Sequence, residues 1–116
     1  MTLSLAHITV DSADAAALAG FWSELLDLPV DEGASAQFAT VGKAAGAAPA
    51  LMFIQVPDKN PGKNVIHLDL HAEDWHQYIE RAVSLGAKRI GDFDEYGAQW
   101  TTLADPEGNL FDIGAA

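Results

Sequence analysis

The sequence contains no cysteine among its 116 residues. This absence excludes a disulfide framework, a thiolate nucleophile and a sulfur-ligated zinc site. Any bound metal ion must therefore be held by histidine, carboxylate or amide groups. The length predicts a single domain that buries most of its apolar surface around one core.

Basic residues are scarce: 6 Lys and Arg stand against 17 Asp and Glu, which gives a formal net charge of −11. Such a charge repels nucleic acid phosphates and anionic membrane surfaces, so we expect neither as a partner. Two interpretations of the acidity remain open. It serves solubility, or it attracts a cationic small ligand.

Long apolar runs and a basic, apolar leader segment are also missing from the sequence. The composition, with 49% hydrophobic and 20% charged residues, is typical of a soluble globular protein. We therefore expect a cytoplasmic protein.

The most informative stretch covers residues 64–71, where polar side chains occupy every second position of an apolar run. This alternation predicts a strand with His67 and Asp69 on one face and Ile66, Leu68 and Leu70 on the other. The apolar face is expected to pack on a helix, which leaves His67 and Asp69 facing an enclosed space.

Hydrophobic periodicity and turn residues divide the rest of the chain. Helices are predicted at residues 14–27 and 74–85, and strands at residues 3–10, 37–41, 50–56, 64–71, 89–91, 99–103 and 110–113. Residues 92–96 are predicted to form an acidic turn and residues 105–109 a tight turn. Residues 42–49, rich in Ala and Gly, predict a mobile loop.

The two halves of the chain repeat one motif when they are aligned with a shift of 60 residues. His7 then matches His67, and Asp14 matches Asp74. Each half reads as a strand, a helix and three strands, and such a half cannot bury its open sheet alone. We therefore predict two modules, residues 1–60 and 61–116, that close one core together.

Five short motifs occur in the order and spacing of a known group of proteins: Phe21-Trp22, Lys63-Asn64, His67-Leu-Asp-Leu70, Leu85-Gly-Ala87 and Asp105-Pro-Glu-Gly-Asn109. On these motifs the chain resembles the vicinal oxygen chelate superfamily, which includes glyoxalases, bleomycin resistance proteins and extradiol dioxygenases. It is most similar to the small glyoxalase-like proteins. The resemblance implies an α+β fold in which two βαβββ modules form an eight-stranded, cup-shaped mixed sheet.

The resemblance also implies a metal site, because enzymes of the superfamily take ligands from the first and last strands of each module. His7, His67 and Asp112 match three of these positions, although Glu is more usual than Asp at the last. The fourth position falls in residues 52–54, where the chain has no ligand and only Gln55 is near. Three ligands leave coordination positions open on a divalent ion such as Fe, Mn, Ni, Zn or Mg.

A substrate with adjacent oxygens would chelate such an ion, and the implied activities are those of a lyase, an isomerase or a dioxygenase. The substrate pocket would include Thr9, Gln55, Asp69 and Trp100. Another interpretation is that His67 is an ordinary pocket residue that pairs with Asp69 or with a backbone carbonyl.

A different class of function is also open: a metal-free protein that sequesters a drug or a metabolite, as some members of the superfamily do. Loss of activity on treatment with a chelator would separate the enzyme from the sequestering protein. For either function we expect a homodimer, because pairing between chains protects the open edges of sheets.

Overall fold

Each half of the chain forms one helix and one sheet in the computed structural model, which describes residues 5–57, 66–95 and 97–116. The chain divides into two compact units, Met1–Asn60 and Pro61–Ala116. Within the described ranges, no helix is long and apolar enough to cross a membrane.

The first unit contains four elements: β1 (His7–Ser12), α1 (Ala15–Leu26), β2 (Phe38–Val41) and β3 (Ala50–Gln55). Its sheet has the strand order β1-β3-β2, with β1 parallel and β2 antiparallel to the central β3. A further bridge joins Val41 of β2 to Val30, at which the sequence predicts no strand.

Helix α1 begins and ends where its sequence predicts. The Asp14 side chain accepts a hydrogen bond from the Ala17 backbone N–H at 3.2 Å, which satisfies one of the free donors of the first turn. The helix ends at Asp27, which adopts a left-handed conformation with φ 55°. Its buried face consists of residues at helical spacing, Ala15, Leu18, Ala19, Phe21, Trp22 and Leu25.

The second unit contains β4 (Leu68–Ala72), α2 (Trp75–Ser84), β5 (Lys88–Glu95), β6 (Ala98–Ala104) and β7 (Leu110–Ala115). Its strand order is β4-β7-β6-β5; β4 runs parallel to β7, and the other pairs are antiparallel. Strand β4 is thus followed by a helix and three strands, as the repeat predicts.

The α+β class is confirmed, but the described residues form two separate sheets of three and four strands instead of one eight-stranded sheet. Seven strands are present in the described ranges. In the first unit, the place of an eighth is taken by the single bridge at Val30. Pro29 lies directly before it and lacks an N–H to donate to a ladder, which disfavours a longer strand there.

The prediction of an acidic turn at residues 92–96 is wrong for residues 92–95, which are the ones that the structure describes. Residues 92–95 belong to β5 and pair with β6, from Asp92 opposite Thr101 to Glu95 opposite Ala98. Strand β5 lies at the edge of its sheet, where its charged side chains remain exposed to solvent. Tyr96 lies outside the described residues.

The strand predicted at residues 64–71 is shorter at its start, because β4 begins at Leu68. Residues 64 and 65 lie outside the described part of the chain, and His67 immediately precedes the strand. The alternation is confirmed from Leu68 onward, since Leu68 and Leu70 are half-buried while Asp69 and His71 are exposed. Ile66 is 76% exposed, so the prediction that it packs on a helix is wrong.

The loop at residues 42–49 is anchored by Asp31, a contact that the sequence does not predict. The Asp31 carboxylate accepts hydrogen bonds from the Thr40 hydroxyl at 2.6 Å and from the Lys43 and Ala44 backbone N–H groups at 3.0 Å each. The Thr40 bond, then the bonds from Ala44 and Lys43, hold the pKa of Asp31 below its usual value. The start of this loop is therefore tied to the segment before β2.

Candidate functional site

The register of the four-stranded sheet places three polar side chains side by side. Asp69 on β4 lies directly opposite Asp112 on β7, and Asp112 lies directly opposite Thr102 on β6. Because directly opposed residues point to the same face of a sheet, all three side chains project from one face. We call this the polar face.

The opposite face of the sheet explains why the register is fixed. Leu103, Phe111 and Ile113 project from it and are buried, as are Ile79 and Ala82 of α2, which packs against β5 and β7. A one-residue slip of any strand would move these apolar side chains into solvent. The apolar packing therefore holds Asp69, Thr102 and Asp112 together on the polar face.

His67 completes a compact cluster with the two aspartates. Its Nε2 atom lies 3.5 Å from Asp69 Oδ1 and 3.5 Å from Asp112 Oδ2. One donor atom from each of the three residues lies within 4.8 Å of the others. The side chain of Asp112 is only 16% exposed, whereas those of His67 and Asp69 are 46% and 73% exposed. The cluster thus has a mostly buried carboxylate at its base and an accessible outer side.

The two oxygens of Asp112 have different partners. Thr102 donates its hydroxyl hydrogen bond to Oδ1 at 2.6 Å, while Oδ2 faces His67. Burial raises the pKa of Asp112, and the hydrogen bond and negative charge of Asp69 raise it further; Thr102 and His67 act in the opposite direction. Burial and the neighbouring Asp69 therefore make ionisation of Asp112 less favourable than that of an ordinary exposed aspartate.

The donor set fits a divalent cation. One imidazole nitrogen and two carboxylates are ligands for hard or borderline divalent ions, and such an ion would relieve the repulsion between Asp69 and Asp112. The same distances also agree with the simpler interpretation, in which a protonated His67 forms ion pairs with both carboxylates. Either way, His67, Asp69 and Asp112 form one electrostatic unit.

The other predicted site residues on the first unit belong to β1 and β3. His7 is the first residue of β1, and both His7 and Thr9 are exposed, so the two alternate with less exposed neighbours. Gln55 ends β3, and its side-chain amide donates a hydrogen bond to the Ala13 carbonyl at 3.0 Å. The participation of His7 and Thr9 in the site stays a prediction.

Aromatic rings lie on the polar face, next to the cluster. Trp100 stacks on Phe93, its partner on β5, with ring centroids 5.5 Å apart and an interplanar angle of 18°. Trp100 is two residues from Thr102 on β6, which corresponds to roughly 7 Å along a strand. Gly91 lies opposite Thr102, and a Cβ at Gly91 would lie 3.4 Å from the Phe93 ring, which is an ordinary van der Waals contact.

Sequence reasoning selected Trp100 but missed Phe93. The sequence analysis predicts a turn at position 93, although the alternation of Asp92, Phe93 and Asp94 is a signal of an edge strand.

A second polar group occupies the opposite face of the same sheet. Asp92 accepts hydrogen bonds from the Thr101 hydroxyl at 2.7 Å and from Arg89 at 2.8 Å. Both bonds lower the pKa of Asp92, the Thr101 bond more strongly.

A shallow groove of about 330 Å³ lies on this face of the sheet, between the first turn of α2 and the strands β5 and β6. In that first turn the centroid of the His76 ring lies 3.9 Å from that of the Trp75 ring, and His76 is exposed.

The turn at residues 105–109 is confirmed and has a structural role. The buried Asp105 carboxylate accepts hydrogen bonds from the backbone N–H groups of Glu107 and Asn109, both at 2.9 Å, and from the Asn109 side chain. Gly108 adopts φ 90°, a conformation that favours glycine. This turn sets the start of β7, the strand that carries Asp112.

Comparison with known proteins agrees with this architecture. The family model of the glyoxalase-like domain matches residues 7–114. The chain therefore belongs to the glyoxalase-like domain family, and its membership of the vicinal oxygen chelate superfamily is confirmed. No curated protein sequence matches it.

Three solved structures illustrate the likeness. A glyoxalase/bleomycin resistance protein/dioxygenase family enzyme from Burkholderia phytofirmans PsJN has a TM-score of 0.81 at 18% identity, over 97% of this chain and 98% of that one. The fosfomycin resistance protein FosX from Listeria monocytogenes has 0.76 at 16% identity, over 100% and 95%. A bleomycin-binding protein complexed with bleomycin has 0.68 at 19% identity, over 98% and 99%. At these identities the likeness shows the fold alone.

Proposed function

We propose that this protein is a metal-dependent enzyme of the vicinal oxygen chelate type, a lyase, isomerase or dioxygenase that acts on a small organic molecule. One observation carries the proposal: a histidine nitrogen and two carboxylate oxygens, from His67, Asp69 and Asp112, lie within 4.8 Å of one another on one sheet face. Membership of the glyoxalase-like family supports it.

The electrostatics of the cluster favour a bound cation. Asp112 is mostly buried and lies beside a second carboxylate, and both conditions disfavour its ionised form. A proton or a cation relieves this cost. The formal charge of −11 raises the local concentration of cations around the protein, and this favours relief by a bound cation.

Asp112 and His67 are proposed as the principal ligands, with Asp69 as a third. His7 would add a second imidazole if the two sheets close into the eight-stranded cup that the resemblance implies. These groups would hold a divalent ion, which would supply a Lewis acid for an oxygen of the substrate.

The chain's own residues would then orient the substrate and move protons. The Phe93 ring, 40% exposed, together with Trp100 offers a flat apolar surface for a substrate and keeps water from one side of it. Asp69 is the most exposed of the three cluster residues and can accept a proton whenever it does not hold the ion. Thr9 is proposed to line the same pocket.

Assembly as a homodimer is part of the proposal. Strands β4 and β5 terminate the four-stranded sheet, and β5 carries the exposed apolar residues Ile90 and Phe93 among its charged side chains. Pairing with a second chain would cover such an edge. Light scattering that shows a monomer at high micromolar concentration would contradict this part alone.

Metal content tests the proposal. Protein purified without a metal-affinity step is expected to contain close to one equivalent of a transition metal or magnesium by inductively coupled plasma mass spectrometry. Dialysis against a chelator should remove it, and addition of the ion should restore it. Protein that holds no ion and takes up none would instead favour the sequestering function, for which a small ligand binds with and without chelator.

A further inference from the structure

We infer that Thr102 is a positioning residue that sets the orientation of Asp112 in the metal site. This inference rests on the proposed function, since it concerns how the proposed ligand is held. It assigns a role to a residue that no sequence motif marks.

The contact is built into the sheet register. Thr102 and Asp112 are direct partners on the antiparallel strands β6 and β7, and the hydroxyl lies 2.6 Å from Oδ1. This is a short, charge-assisted hydrogen bond when Asp112 is ionised. With Oδ1 engaged, the carboxylate presents Oδ2 to His67, at 3.5 Å.

The hydroxyl of Thr102 has one acceptor side chain among its cross-strand partners. Strand β6 lies between β7 and β5, and the partner of Thr102 on β5 is Gly91, which has no side chain. In addition, a β-branched residue such as threonine is restricted in its side-chain torsion, so its hydroxyl direction is well defined. Thr102 therefore holds Asp112 in one orientation before any ion arrives.

Strand β6 supplies its own matched control. Thr101, the preceding residue, makes the same type of bond on the opposite face, where its hydroxyl donates to Asp92 at 2.7 Å. Loss of either hydroxyl removes one threonine-to-aspartate hydrogen bond from the same strand. Only Thr102 bonds to a proposed metal ligand.

The experiment compares Co²⁺ binding to untagged wild type, Thr102→Val, Thr102→Ser and Thr101→Val. Calorimetry gives the affinity, and the visible absorption of bound Co²⁺ reports the ligand geometry. Partners that orient a metal ligand typically change metal affinity 10- to 100-fold, so Thr102→Val is expected to lose about that factor and to shift the absorption bands. Thr102→Ser keeps the hydroxyl, so it should retain the wild-type affinity and absorption bands. Thr101→Val should match the wild type in both.

Two failures are distinguishable. If the wild type does not bind Co²⁺, the proposed function fails and the inference falls with it. If the wild type binds and Thr102→Val binds equally with the same spectrum, or if Thr101→Val loses as much affinity as Thr102→Val, the positioning role alone is overturned. Thr102→Ala replaces Thr102→Val, with the same expected losses, if circular dichroism shows that the valine variant is unfolded.

Discussion

Asp69 and Asp112 are direct partners on the parallel strands β4 and β7, so two carboxylates lie side by side on one face of the sheet. Like charges directly opposite each other destabilise a sheet. The burial of Asp112 and its contact with Asp69 raise the pKa of Asp112 above its ordinary value of 3.8. The unfavourable pairing of the two carboxylates occurs where His67 lies close to both side chains.

The first prediction concerns the pH dependence of stability without metal. Because the pKa of Asp112 is raised in the folded state, the stability that its neutral form contributes is complete below 3.8 and is lost as pH rises through the folded value. Asp112→Asn remains neutral at every pH. We expect this variant to equal the wild type in acid and to be more stable at neutral pH, measured by thermal unfolding of chelator-treated protein.

Asp94→Asn is the control for this experiment, since Asp94 is an exposed carboxylate on β5. It should leave the shape of the stability profile unchanged. An Asp112→Asn variant that is less stable than the wild type by the same amount at all pH values would show that the raised pKa has no part in stability.

The second prediction asks whether His7 joins the site. We expect His7→Ala to weaken the binding of Zn²⁺ about tenfold or more, because a site that loses a ligand binds its ion less tightly. His71→Ala, at the exposed end of β4, is the matched control and should bind as the wild type does. Equal binding by both variants would leave His67, Asp69 and Asp112 as the whole protein ligand set.

The third prediction concerns the turn that precedes β7. Asp105 is buried and accepts several hydrogen bonds, so its loss leaves buried N–H groups without an acceptor. We expect Asp105→Ala to lower the free energy of unfolding by roughly 3 kcal/mol in urea denaturation. Glu95→Ala, which removes an exposed carboxylate from an edge strand, should change it by less than about 0.5 kcal/mol.

The fourth prediction concerns the loop at residues 42–49. Removal of the Asp31 carboxylate in Asp31→Ala should speed hydrogen exchange at Lys43 and Ala44, whose N–H groups it binds. Since the pKa of Asp31 is lowered, its contribution to stability is present above 3.8 and is lost as pH falls through the folded value. In the wild type, acid should therefore loosen the loop as the substitution does.

The control for the loop is Glu32→Ala, because Glu32 is the adjacent exposed carboxylate. Unchanged exchange at Lys43 and Ala44 in Asp31→Ala would show that the loop does not depend on its anchor.

Local patterns predicted the elements of this fold well, and non-local pairing explains what they missed. Both helices and the alternation around Asp69 follow from periodicity, and the repeat pointed to His67. The contact between Thr102 and Asp112 depends on the register of β6 and β7, which the buried Leu103, Phe111 and Ile113 fix from the other face. No spacing along the chain reveals that register.

Edge strands were the other source of error. The charge of residues 92–95 is typical of a turn, but these residues alternate as an edge strand does and pair with β6. The consequence for the site was the omission of Phe93. Charge composition reflects exposure to solvent, which turns and edge strands share.

The central claim is that His67, Asp69 and Asp112 bind a divalent ion, and isothermal titration calorimetry of Zn²⁺ into chelator-treated wild type, His67→Ala and His76→Ala tests it most directly. At neutral pH the wild type and His76→Ala should bind one ion with micromolar or better affinity, and His67→Ala should bind at least about tenfold more weakly while keeping its circular dichroism spectrum. No binding by the wild type, or equal binding by His67→Ala, would contradict the account.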